Sequence, residues 1–254
     1  MTVSVMISTM NNLKPLFFKK NKGHTIVVNQ TESLGNLHDL ENCILVEIND
    51  KGLAKSRNIA LEKTKTDFAL ISDDDVAYVE NYDLIVEKYF KILPDADILT
   101  FQIHDNNGRP YKNYKNKIFK HNKISILKVS SVEIAINIRS IKNNDIKFDE
   151  KFGLGAQFKC GEENIFLLDC LDKGLIAYYI NIPLVIHPLE SSGKNIDYNY
   201  FYARGAVFFR MYGMMVAFLF YCYFSFFKSV NKSSFFSNLI IMIKGANMYK
   251  KGIK

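Results

Sequence analysis

The run FALISDDDV, residues 68–76, constrains this chain more than any other stretch. Phe68, Ala69, Leu70 and Ile71 are apolar without interruption, as in a strand covered on both faces of a parallel sheet. Asp73, Asp74 and Asp75 follow at once. Open α/β sheets bind ligands just outside the carboxyl ends of their strands. Three adjacent carboxylates repel one another and require solvent, a cation or hydrogen-bond donors. Hard oxygen ligands suit Mg²⁺ or Mn²⁺, with a nucleotide diphosphate completing the coordination shell. The competing reading is that the aspartates only cap the next helix or solvate a turn.

The flanking sequence places this run in an α/β fold. Apolar, β-branched strands are predicted at 3–8, 25–29 and 43–48, with a short helix over 11–20 and a polar connection over 33–41. A helix is predicted over 53–64, with Asp50 upstream as its cap. Strand, helix and strand at this spacing imply βαβ units and a mostly parallel sheet flanked by helices. Beyond the aspartates, the pattern predicts a helix over 82–93, a strand over 96–103 and a polar loop or irregular hairpin over 105–122. Two strands, 124–129 and 132–138, come next. A glycine-bearing irregular stretch over 149–160 leads to a helix over 162–173 and a strand over 175–180 that runs towards His187-Pro188. The 254 residues suffice for one large domain with an appendage. Cys43, Cys160, Cys170 and Cys222 lie far apart with no CxxC, which speaks against a zinc site or disulfide framework and for a reducing compartment. The N-terminus lacks a basic leader and reads as a strand.

Charge divides the chain. The net charge is +7, yet from residue 203 onward there are eight Lys or Arg and no acid, so the first 202 residues carry 25 basic and 26 acidic side chains. Nucleic-acid binding would need basic residues spread over a face. Here they are interleaved with Phe, Met, Leu and Tyr, which favours an anionic membrane surface. Residues 211–227 form seventeen positions without a charge, the lower limit for spanning a bilayer core. The expected organisation is a catalytic domain over 1–196 and a membrane-associating helical tail over 197–254. A helix packed on the domain is the competing reading of the tail.

Three motifs line up in order. GLAKSRN (52–58) precedes the aspartate strand, SDDDV (72–76) ends it, and FDEKFGLGAQFKCGEENIF (148–166) follows. Together they resemble the family 2 glycosyltransferases of GT-A fold over about residues 1–190: the G-L-x-x-x-R-N segment, the metal-binding D-x-D and the acceptor-side segment ending in an acidic pair. Any one of them is weak; three in the right order are specific. Asn29 stands where that family often has a base-contacting Asp, and Glu162-Glu163 stand where it has Glu-Asp.

The resemblance implies roles. Asp73 and Asp75, with His187, would hold Mn²⁺ or Mg²⁺ on the donor diphosphate. Ser8, Thr9, Asn29, Arg57, Asp73 and Asp74 would bind the donor, a nucleotide-diphosphate sugar with UDP favoured. Arg57 reads equally as a surface helix residue. Glu163, with Glu162 as the alternative, would be the general base. Phe152, Gly153, Leu154 and Gly155 would shape the acceptor site. The implied activity is an inverting, metal-dependent sugar transfer to a growing, lipid-linked surface glycan, at the cytoplasmic face of the membrane and peripheral or monotopic. Two alternatives stay open. A metal-dependent nucleotidyltransferase calls for a Gly-rich loop near the N-terminus, and residues 1–20 contain no Gly. The other is a degenerate GT-A binding module tethered to a membrane.

Overall fold

The computed structural model describes residues 1–11, 24–31, 37–40, 43–187, 196–228 and 232–252. The helix expected over 11–20 lies outside them, Asn11 excepted. Two compact units are present. The first comprises Met1–Lys51, Lys55–Phe148 and Phe166–Glu190, and the second Gly52–Ala54, Asp149–Ile165 and Ser191–Lys254.

The first unit is built on a 10-stranded sheet. Its strands are β1 (Val3–Met10), β2 (His24–Gln30), β3 (Leu37–Leu40), β4 (Cys43–Ile48), β5 (Phe68–Asp73), β6 (Ala77–Tyr78), β7 (Ile98–His104), β8 (Phe119–Lys120), β9 (Ile134–Asn137) and β10 (Ala177–Ile186). Their order is β3-β4-β2-β1-β5-β9-β7-β10-β6, with β8 paired to β10. Strands β4, β2, β1 and β5 are parallel, as are β7 and β10. Strand β9 is antiparallel to both β5 and β7, so all six of these run in one direction. The central strands are buried on both faces. Val3 to Thr9 of β1 and Phe68 to Ser72 of β5 are all inside, as strands covered on both faces require. Helix α1 (Leu53–Lys63) connects β4 to β5, α2 (Tyr82–Ile92) follows the aspartates, and Phe90 of α2 stacks on Phe68 at 4.0 Å. Helix α3 (Ile138–Asn143) follows β9, and α4 (Glu162–Asp172) precedes β10.

Three expected elements differ. The connection over 33–41 contains β3, which pairs antiparallel with β4 and satisfies that strand's outer edge. The strand expected over 124–129 is a 3₁₀ turn, Ser125–Lys128. Asn122 Oδ1 accepts from the N–H groups of Ile124 and Ser125 at 2.9 and 2.8 Å, offering the backbone a local alternative to a ladder. Strand β10 also runs six residues past its expected end. Its register against β7 shifts at Pro183, a residue strands tolerate only at edges and bulges.

The second unit joins the 149–165 stretch to α5 (Tyr198–Phe227) and α6 (Lys232–Lys251). Asp149 is its anchor. Its carboxylate accepts from Arg210 Nε at 3.3 Å and Tyr249 Oη at 3.4 Å, while Lys151 Nζ donates to the Gly252 carbonyl at 2.9 Å. The two helices cross at backbone distance. A Cβ on Gly205 would lie 2.0 Å from the Met242 carbonyl oxygen, and one on Gly245 would lie 1.9 Å from that of Tyr202. This reverses an ordinary expectation. Gly→Ala inside a helix normally stabilises by roughly 1 kcal/mol. Gly205→Ala should instead destabilise by about 1–3 kcal/mol through overpacking, read as a lower thermal midpoint; a raised midpoint would contradict the crossing.

Candidate active site

The first unit gathers the aspartates at a topological switch point. The chain leaves β1 for β2 on one side and returns through α1 to β5 on the other, so the carboxyl ends of β1 and β5 diverge over a crevice. Register pairs Ser8 with Asp73. Each carboxylate has its own partner there. Arg57 Nη2 donates to Asp73 Oδ1 at 3.0 Å, Thr9 Oγ1 donates to Asp74 Oδ2 at 2.5 Å, and His187 Nε2 lies 3.4 Å from Asp75 Oδ2. Ser8 is buried and accepts from Ser56 Oγ at 2.8 Å.

Local folding explains the third pairing. After Asp75 the chain turns into β6, which runs antiparallel to the end of β10, with Ala77 opposite Ile186. This brings His187 against Asp75. The hydrogen bond to His187 holds the Asp75 carboxyl below the usual carboxylate range, against the opposing effect of its partial burial. Asp75 therefore stays an anion through the mildly acidic range.

The GLAKSRN helix contributes two fastenings. Arg57 is 1% exposed, which corrects the surface-residue reading, and its guanidinium also lies 5.7 Å from the Phe148 ring centroid. Asn58 exchanges hydrogen bonds with the Phe148 backbone, Nδ2 to the carbonyl at 3.0 Å and the Phe148 N–H to Oδ1 at 2.8 Å. Asn29 is opposite Thr9 on β2. It is 2% exposed, and its Oδ1 has no hydrogen-bond partner among the described residues. Beside it, the strand ends form a pocket lined by Met10, Asn11, Gln30, Thr31, Asn49, Asp50 and Lys51. None of these is among the expected site residues. The rule that singles out Ser8 and Thr9, applied equally to the ends of β2 and β4, identifies them. Asp50, expected as a helix cap, instead accepts from Lys55 Nζ at 2.7 Å, and that bond lowers its pKa.

The second unit carries the remaining predicted residues. Residues 149–158 fold into a tight loop. The Gly153 N–H donates to the Phe158 carbonyl at 2.8 Å and the Phe158 N–H donates to the Lys151 carbonyl at 2.9 Å. Gly153 and Gly155 have φ of 100° and 80°, a region that favours glycine. Phe152 is fully buried against Phe158 and Tyr249, at 5.1 and 5.3 Å, and supports the loop from within. Leu154, 63% exposed, is the large apolar side chain the loop presents, and its carbonyl accepts from the Leu53 N–H at 2.9 Å.

The two glutamates differ. Glu162 is buried, and a Cβ on Gly153 would lie 3.2 Å from its Oε2, so its side chain packs against the loop backbone. Glu163 is partly exposed in the first turn of α4, where the helix dipole favours a carboxylate. Arg204 approaches the same helix end, with Nη1 donating to Asn164 Oδ1 at 3.4 Å. Burial pushes the nearby Cys160 thiol up to about 11, which keeps it protonated and a poor nucleophile.

Among the described residues, no group of three or more His, Cys, Asp or Glu side chains is placed to hold a metal by itself. Asp75 and His187 do converge, and a divalent ion that takes its other ligands from substrate phosphates needs only one or two protein side chains.

No protein-family model matches the chain, and no curated protein matches it. Solved structures do. TarS from S. aureus superposes with a TM-score of 0.60 at 16% identity, over 92% of this chain and 44% of that one. Residues 1–349 of TarS in complex with UDP-GlcNAc give a TM-score of 0.66 at 16% identity, over 97% and 82%. The same fragment in complex with UDP gives 0.58 at 18%, over 83% and 65%. The chain thus spans less than half the length of the longest of these. At such identities the likeness concerns fold, and it shows the α/β architecture expected from the sequence: a mostly parallel sheet flanked by helices, with apolar helices at the C-terminus.

Proposed function

We propose that the chain is a glycosyltransferase that moves a sugar from a nucleotide-diphosphate donor to a hydroxyl of a glycan. The observation that carries this reading is the set of strand-end side chains, Ser8, Thr9, Asp73, Asp74, Asp75 and His187, gathered at the switch point of a fold shared with a protein solved with UDP and UDP-GlcNAc. The family 2 assignment rests on the three motifs. UDP is the favoured donor nucleotide. Its base would enter the pocket beyond Gln30 and Thr31, beside the unsatisfied carbonyl of Asn29.

The residues divide the work. Arg57 holds Asp73 and Thr9 holds Asp74, so both carboxylates are fixed in orientation before the donor arrives. Asp73, Asp75 and His187 would hold Mn²⁺ or Mg²⁺; a cation there would offset the charge on the departing diphosphate, so no acid need protonate it. Glu163 takes the proton of the acceptor hydroxyl, whose oxygen forms the new bond to the anomeric carbon. The bond to the diphosphate breaks on the opposite side, the nucleotide leaves with the electron pair, and configuration inverts. Glu162 positions the loop 152–155, which presents Leu154 to the acceptor. The basic, aromatic tail supports a place at the cytoplasmic face of the membrane and a lipid-linked surface glycan as acceptor.

Two measurements test this reading. Asp75→Asn should abolish most of the divalent-cation dependence of UDP-sugar binding in calorimetry; equal affinity with and without chelator in the unaltered protein would overturn the cation's role. Glu163→Gln should leave donor binding intact and lower turnover by roughly 10²–10⁴-fold. Glu162→Gln should act mainly on stability. A larger catalytic loss at Glu162 would exchange their roles, and no loss at either would favour the inactive binding module.

A further inference from the structure

Helix α5 is, among the described residues, the one helix long and apolar enough to cross a membrane. Its 30 residues would measure about 45 Å if straight, against about 30 Å of hydrocarbon. It is not straight. Gly213 has φ 70° and ψ 172°, far from helical values. Tyr221 Oη donates to the Gly205 carbonyl at 2.8 Å, although sixteen residues of straight helix would separate them by about 24 Å. Phe208 stacks on Phe220 at 4.8 Å and Tyr212 on Phe220 at 5.1 Å. The helix is therefore a hairpin with arms 198–212 and 214–227. Each arm is about 20–23 Å long, too short to span.

The arms have different surroundings. The first is built into the second unit, where Phe201, Ala203, Val207, Phe208 and Met211 are buried and Arg210 is bonded to Asp149. The second buries only one row, Ala217, Tyr221 and Ser225, at helical spacing. Its other faces are apolar and open: Met215 is 89% exposed, and Leu219 and Phe226 are each 69% exposed. Phe236 and Ile240, one turn apart on α6, are exposed as well. So many exposed large apolar side chains on two helices of one compact unit mark an interaction site.

Charge identifies what covers it. No acidic residue occurs from residue 203 onward, and Lys228, Lys244, Lys250 and Lys251 are exposed on the same two helices. A second copy meeting this face would set like charge against like. An anionic bilayer offers both the apolar layer and the opposite charge. We infer that the second arm of α5 and the Phe236–Ile240 turn of α6 lie in the plane of an anionic membrane surface, embedded on one side without crossing it. This rests on the reading of the tail as membrane-associated and resolves it into a monotopic face.

The chain contains no Trp, so Leu219→Trp in the 254-residue chain gives a single reporter on that face. With phosphatidylglycerol–phosphatidylcholine vesicles its emission should shift to the blue. Lipids brominated near the headgroup should quench it several-fold more than lipids brominated near the chain end. Stronger quenching from the chain end would mean a spanning helix and overturn the proposal. The pair Leu219→Asp and Phe226→Asp, both exposed, should lower vesicle partitioning by roughly tenfold or more while leaving the thermal midpoint and UDP-sugar binding unchanged. Undiminished partitioning, or a solution dimer that the same pair dissolves, would also overturn it. Loss of UDP-sugar binding in the unaltered protein with vesicle docking intact would sink the transferase reading and leave this one standing.

Discussion

Three consecutive carboxylates at the end of a buried strand are the constraint around which the first unit is arranged. Left alone they would repel one another in a place only partly open to water. The structure disperses them to three partners from three directions: Thr9 from the neighbouring strand, Arg57 from the preceding helix and His187 from the far side of the sheet. Burying an arginine is costly unless it is paired, so Arg57 and Asp73 support each other. The same partners that relieve repulsion also fix the orientation of the oxygens, which a site for a charged diphosphate requires.

Much of this is legible in the sequence, for identifiable reasons. The strand 68–71 is read correctly because a run without polar interruption has few alternatives, and β1, β2 and β4 follow from their β-branched residues. A ligand site at the carboxyl ends of these strands follows from the parallel sheet, while the switch point itself is set by a strand order that only the structure shows. The pairing of Asp75 with His187 is implied only by the family resemblance, which sets both on one cation, and not by the local pattern. It depends on the two-residue strand β6 and on the register shift at Pro183, and neither leaves a periodic signal. Arg57 reads as evenly surface or site because helix α1 has only a weak apolar stripe, and burial of a guanidinium depends on a partner sixteen residues away. The turn at 125–128 escapes because Ile and Leu flanked by Val resemble a strand, while the deciding interaction is the side chain of Asn122.

The tail shows the limit of composition most clearly. Seventeen uncharged residues read the same whether a helix is straight or folded back, and only contacts such as Tyr221 to Gly205 distinguish them. The sequence predicts membrane affinity from charge and aromatics. The structure adds that the tail's helices and the glycine loop 149–158 share one compact unit, fastened through Asp149 and Lys151. Side chains expected to touch an acceptor are thus held by residues a hundred positions further along. This couples the placement of that loop to the integrity of α5 and α6, and it gives Gly205 and Gly245 a structural reason to be glycine.

The central claim is that a nucleotide-diphosphate sugar binds at the carboxyl ends of β1 and β5. The most direct measurement is thermal stabilisation of the 254-residue chain across a panel of nucleotide sugars, nucleoside diphosphates and nucleoside triphosphates, each with Mn²⁺, with Mg²⁺ and with chelator. A ligand that binds only the folded state raises apparent stability by mass action, and no acceptor need be known. The account predicts that a nucleotide-diphosphate sugar, a uridine one first, raises the midpoint in the presence of cation and loses most of that effect with chelator. Stabilisation by triphosphates alone, or by no nucleotide under any condition, would contradict it.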